Sequence, residues 1–76
     1  MSEIELMDIF AGNLESMIRE VGISQRELAN ESGVYESTIS RYLSSQRLPT
    51  IKTLVNLCYV LDCELDDLIP TYELIS

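Results

Sequence analysis

The chain has no histidine, two cysteines, and five cations against thirteen acids, and each shortage excludes something. Without histidine a zinc site lacks its usual ligands, and the commonest general base at neutral pH is missing. No nucleophile stands beside a base and no glycine loop is arranged to cradle phosphate, so no enzyme activity, cofactor or small-molecule substrate is expected. No run of about 18 apolar residues occurs, so neither a transmembrane helix nor other membrane association is expected. The start of the chain shows no basic-then-apolar leader. Cys58 and Cys63 lie five apart in a region of helical periodicity. They are expected to point in different directions, to stay reduced and unbridged, and to serve as small buried apolar residues. A cytoplasmic location is expected by default.

What is present is one small domain of 76 residues with a net charge of −8. Such a charge opposes nucleic-acid binding, but its distribution is uneven. Residues 1–18 carry −4, residues 53–76 carry −5, and residues 19–52 carry +1. Every cation (Arg19, Arg26, Arg41, Arg47 and Lys52) falls in that middle segment. Few phosphate contacts per subunit are available, so any DNA binding should be modest and salt-sensitive.

The middle segment contains ISQRELANESGVYESTISRYL, residues 23–43. Ser24 and Glu27 have the S-x-x-E spacing of a capping box, and Ile23 with Leu28 has the spacing of a hydrophobic staple. Leu28 and Ala29 should then face inward, and Gly33 can take the left-handed conformation that ends a helix. Val34, Ile39, Tyr42 and Leu43 form a second apolar set at helical spacing. Glu36, Ser37, Ser40, Arg41 and Ser44 are left together on the opposite face. Short polar and charged side chains on a braced, exposed helix suit entry into a DNA major groove.

Around this unit the apolar periodicity predicts helices only. Met7, Phe10, Leu14, Met17, Ile18 and Val21 give one over about 5–20, ending at Gly22. Residues 44–49 form a loop, and Thr50 caps a helix over about 51–61 built on Ile51, Leu54, Val55, Leu57, Cys58 and Leu61. Asp62 and Cys63 interrupt it, and Leu65, Leu68 and Ile69 give a last short turn stopped by Pro70. No segment alternates with period two long enough for a sheet. The expected fold is all-α, five helices around one core. Residues 1–9 would extend the first helix, 10–70 would form the helix-turn-helix domain, and 71–76 would be a short apolar tail.

The stretches GISQRELANESGV, STISRYL and LPTIKTLVNLCYVLDCELDDLI resemble the Cro and phage-repressor (XRE, lambda-repressor-like) helix-turn-helix family over roughly residues 10–69. The resemblance implies a five-helix DNA-binding domain. It places Gln25 on a phosphate, and Glu36, Ser37, Ser40 and Arg41 on the base-reading face with Ser44 beside them. Arg47 and Lys52 would grip backbone phosphates. It also implies a homodimer on a pseudo-palindromic operator of double-stranded DNA. Arg19 and Arg26 are expected to pair with glutamates on their own helices.

Four departures from the family pattern involve five positions. Tyr35 stands where a Ser or Thr cap is usual, a change of about 1 kcal/mol. Glu36 replaces a cation or amide; it suits the helix dipole and could accept a hydrogen bond from cytosine N4, or be a solvated charge. Ile18 and Leu43 replace a partly buried Arg–Glu pair, and a joint replacement by hydrophobes is often neutral. Asp62 stands where glycine is common, in a position that favours left-handed geometry. Apolar Tyr72, Leu74 and Ile75, with Ile4 and Leu6, could fold back or cover a dimer interface. Two functions follow. One is a sequence-specific repressor-type regulator; the other is an acidic protein-interaction module, antirepressor- or antitoxin-like, that keeps the fold with weak DNA binding.

Overall fold

The computed structural model describes residues 1–71, and the tail from Tyr72 lies outside the described residues. Five helices follow one another: α1 (Glu3–Val21), α2 (Gln25–Ser32), α3 (Glu36–Leu43), α4 (Ile51–Leu61) and α5 (Leu65–Leu68). The described residues contain no strand. The periodic apolar positions close into one core, with Phe10, Leu14, Leu28, Ile39, Leu54, Leu57, Leu61 and Leu68 fully buried. At about 1.5–3 kcal/mol for each large side chain taken from water, this cluster dominates the favourable side of folding. α1 packs on α3, α4 and α5, while α2 packs on α3 and α4. Asn13 ties α1 to the end of α5 by donating to the Leu68 carbonyl at 2.9 Å.

α1 begins two residues earlier than its apolar periodicity predicts. Ser2 Oγ accepts from the Glu5 amide at 3.1 Å, and the Glu5 carboxylate accepts from the Ser2 amide at 3.3 Å. This capping box satisfies two amides that would otherwise lack partners, so the helix extends to Glu3. Those hydrogen bonds from Ser2 hold the Glu5 carboxyl below its ordinary value.

The first four helices end in one way. Gly22, Gly33, Ser45 and Asp62 all have positive φ, at 78°, 75°, 59° and 54°. The amide of the following residue then bonds back five positions: Ile23 to Ile18, Val34 to Ala29, Gln46 to Arg41 and Cys63 to Cys58, at 2.9–3.3 Å. This is the Schellman closure, which brings the residues at its two ends together. Two consequences separate the structure from the sequence reading. Cys58 and Cys63 do not point apart: the closure turns Cys63 back, its amide donating to the Cys58 carbonyl at 3.0 Å, so that each thiol lies near enough to influence the other's titration. Ser45 takes a left-handed position that no glycine announced. Both cysteines are free thiols, Cys58 buried and Cys63 half-buried.

Candidate nucleic-acid interface

The α2–turn–α3 unit is fixed at each joint. Ser24 Oγ accepts from the Glu27 amide at 3.0 Å and Glu27 Oε1 from the Ser24 amide at 3.3 Å, the capping box read from the sequence. Ile23 and Leu28 both pack on the core, Leu28 fully buried. Ser32, where the helices meet, is buried, with its hydroxyl donating to the Leu28 carbonyl at 2.6 Å. Tyr35 occupies the N-cap of α3 with extended backbone and no side-chain cap. Its carbonyl nevertheless accepts from Thr38 and Ile39 at 3.0 and 3.1 Å, so the first turn is closed by backbone alone.

α3 is anchored by one face and offers the other. Ile39 and Tyr42 are buried. The Tyr42 ring meets Phe10 of α1 edge-on, centroids 5.4 Å apart at 73°, a favourable quadrupole arrangement. Burial pushes the Tyr42 phenol above its ordinary value, opposed by nearby Arg47 and Thr53. On the outer face Glu36, Ser37, Ser40, Arg41 and Ser44 are all exposed together. Ser44 is partly committed: its hydroxyl donates to the Ser40 carbonyl at 2.8 Å.

The remaining positions singled out by the sequence are also exposed. Gln25 opens α2, Lys52 lies in the first turn of α4, and Arg47 lies in the connection between α3 and α4. Thr50 caps α4 by accepting from the Thr53 amide at 3.2 Å, which orients the turn that carries Lys52. Amides at the starts of α2 and α4 are unpaired within their helices and carry positive dipole, which suits phosphate.

Arg26 does not pair with a glutamate on its own helix. Its Nε lies 3.9 Å from Glu36 Oε1, across the turn on α3. Arg19 does pair as expected, with Glu15 one turn earlier at 2.6 Å. The contact of Arg26 with Glu36 is long and exposed, so it contributes little energy, but it partly neutralises the one acid on the outer face of α3. Tyr35, which the sequence reading left off the outer face, is 82% exposed and stands at the head of α3 beside Glu36. Its only sequence signal was a poor cap.

The thiol pair lies away from this face, at the far end of α4. Burial, the neighbouring thiol and the carboxylates of Asp67 and Glu64 push Cys58 up to about 12. Burial likewise pushes Cys63 up. Neither is therefore activated as a thiolate. Among the described residues no helix is long and apolar enough to cross a membrane. No group of three His, Cys, Asp or Glu among them is placed to hold a metal ion.

The family model described as Helix-turn-helix, HTH_3, matches residues 14–68. No curated protein gives a sequence match. Among solved structures, the chain is similar to the restriction-modification controller protein C.AhdI from Aeromonas hydrophila, with TM-score 0.78 and 27% identity, covering 83% of this chain and 96% of that protein. It also resembles an HTH_3 family transcriptional regulator from Vibrio cholerae, with TM-score 0.82 and 19% identity, covering 88% of this chain and 38% of the other. The clp gene regulator ClgR from Corynebacterium glutamicum has TM-score 0.78 at 24% identity, covering 83% and 67% of the two chains. At those identities the last two speak to the fold alone.

Proposed function

This chain belongs to the HTH_3 helix-turn-helix family, and on that premise we propose a sequence-specific, phage-repressor-type transcriptional regulator that acts by occupying an operator. α3 enters the major groove, and two subunits read the two halves of a pseudo-palindromic site. Arg41 donates to base edges, with guanine O6 and N7 its best acceptors, while Ser37 and Ser40 keep the helix surface low enough for close approach. Glu36 accepts from cytosine N4, and Tyr35 packs at the groove edge beside it. Gln25, Arg47 and Lys52 hold phosphates on either side, and Ser44 closes the row. The observation that carries this reading is the outer face of α3: its exposed residues are polar or charged, while its inner face is fixed on the core. Similarity to a restriction-modification controller protein supports the regulatory role.

The net charge of −8 favours a second reading, the acidic interaction module. Selection of bound duplexes from a random pool, followed by a salt series, separates the two. Phosphate contacts from Arg47 and Lys52 on two subunits give a log–log salt slope of about −4, from roughly 0.9 per phosphate. Arg41→Ala should relax base preference at one position in each half-site, costing about 1–3 kcal/mol per half-site. Failure to enrich any sequence at low salt would reject the regulator and favour the module.

A further inference from the structure

The end of α4 brings both thiols of the chain into one pocket. Cys58 lies in the last turn of α4 and is buried; Cys63 lies just past the helix and is half-buried. The closure after Leu61 joins them, with the Cys63 amide donating to the Cys58 carbonyl at 3.0 Å and Asp62 left-handed between them. Side chains at these two positions of a Schellman closure meet. Both cysteines line a pocket open to solvent, whose other walls are Val55, Tyr59 and Asp62. The carboxylates of Glu64 and Asp67 act on both thiols and that of Asp62 on Cys63, and no cation is among the groups that do so. The operator-binding function above uses neither cysteine.

We propose that Cys58 and Cys63 form a dithiol site for trivalent arsenic hydroxides, arsenous acid and its monoorganic derivatives. The charges around the pocket select these among thiol ligands. A soft metal ion such as Cu(I) takes thiolates, so its binding releases protons and leaves an anionic centre beside three carboxylates. Peroxide also reacts through the thiolate, which burial and the neighbouring acids suppress here. Arsenous acid needs no thiolate. Neutral As(OH)3 condenses with two neutral thiols: two S–H and two As–OH bonds break, two S–As bonds form, and two waters leave. Arsenic stays trivalent, no electron is transferred, and the As(OH) bridge between the sulfurs carries no charge. Cys63, the more exposed thiol, bonds first. Cys58 then closes the ring intramolecularly, at high effective concentration. The third substituent on arsenic is a hydroxyl or an organic group, and Val55 and Tyr59 offer the organic group an apolar wall. The bridge ties the last turn of α4 to the residue after it and so stabilises the folded chain.

Native mass spectrometry of the reduced full chain, titrated with arsenous acid and with phenylarsine oxide, tests this. One arsenic should bind per chain, with the mass of As(OH) replacing two hydrogens in the first case, and both thiols should become resistant to alkylation. At a hundredfold excess over the dissociation constant, Tm should rise by about 10 °C. Cys58→Ala and Cys63→Ser should each lower the affinity by about a hundredfold or more, the loss of the chelate. Circular dichroism melts check that each variant is folded, and half-buried Cys63 decides the matter if the Cys58 variant is not. Tyr59→Ala should weaken the phenyl compound by about three- to tenfold and leave arsenous acid unchanged. Asp62→Asn should strengthen Cu(I) binding by about threefold, again with arsenous acid unchanged. No adduct at about 1 mM arsenous acid would overturn the site. Undiminished affinity in a folded cysteine variant, one thiol of the adduct still open to alkylation, or an arsenous acid affinity that follows Cu(I) in Asp62→Asn would do the same.

Discussion

Replacing Asp62 by glycine should stabilise the isolated domain. Asp62 holds φ 54° at the end of α4, in the role that Gly22 and Gly33 fill at the ends of α1 and α2. A Cβ in that region is strained by about 1–2 kcal/mol for ordinary residues and less for Asp, so relieving it is worth about 0.5–1 kcal/mol. The carboxylate also stands at the negative end of the α4 dipole, and removing it adds about 0.3–1 kcal/mol. The sum, about 1–2 kcal/mol, corresponds to a rise in Tm of roughly 5–10 °C for a domain this size. Asp62→Asn keeps the geometry and removes the charge, so it should deliver the dipole part alone. Gly33→Ala supplies the converse. An added Cβ there meets no atom within 4 Å, so its loss of about 1 kcal/mol would come from φ rather than a clash. Melts followed by circular dichroism in dilute solution measure all three. A lower Tm for Asp62→Gly, or an indifferent Gly33→Ala, would show that backbone strain does not govern these closures.

Ile18 and Leu43 are half-buried, both packed against the core from the contacting helices α1 and α3. Ile18→Arg or Leu43→Glu alone should cost about 2–4 kcal/mol by leaving an unpaired charge there, and the double variant should recover at least about 1 kcal/mol; strictly additive losses in chemical denaturation would refute the pairing. Alkaline pH should also destabilise the fold. The Cys58 thiol is raised from 9.0 to about 12, so its contribution is whole below pH 9 and is lost as pH rises toward 12. Cys58→Ala should start from lower stability but lose less of it between pH 8 and 11, and equal slopes in a pH series of denaturation midpoints would contradict this.

Local chemistry was what the sequence made legible. Ser24, Glu27 and Gly33 each act within four or five residues, and the α2–turn–α3 joint follows from them. The apolar rows of α1 and α4 placed Phe10, Leu14, Leu54, Leu57, Cys58 and Leu61 in the core, whereas Val21, Ile51 and Val55 of the same rows are exposed, because helical spacing sets the face but not how much of it neighbouring helices cover. What escaped depends on closure or on tertiary approach. Ser45 bears no compositional sign that it will turn left-handed. The Cys58–Cys63 proximity is invisible to a helical wheel because it arises where the helix stops being one. Arg26 meets Glu36 only because the turn folds α3 back beside α2, and Asn13 finds a carbonyl 55 residues away. The outer face of α3 was readable by subtraction from the inner one. Its electrostatic partner on α2 was not.

The acid excess looked like the main obstacle to DNA recognition, and the positions of the acids change its meaning. Glu3 and Glu5 lie in the first turn of α1, Glu27 in that of α2, Glu36 in that of α3, and Asp66 and Asp67 in that of α5. Six of the thirteen acids thus stand where helix dipoles favour negative charge. Asp66 additionally accepts from the Thr71 amide at 3.2 Å, closing the turn after α5. Much of the negative charge is accounted for by building short helices in a small domain, where each cap matters. Of these acids only Glu36 lies on the outer face of α3, and Arg26 stands beside it. Screening over about 8 Å at physiological salt weakens the more distant acids at a bound phosphate, whereas Arg41, Arg47 and Lys52 would act at contact. Net charge therefore argues for modest affinity, strengthened when two subunits bind together, rather than against entry into the groove.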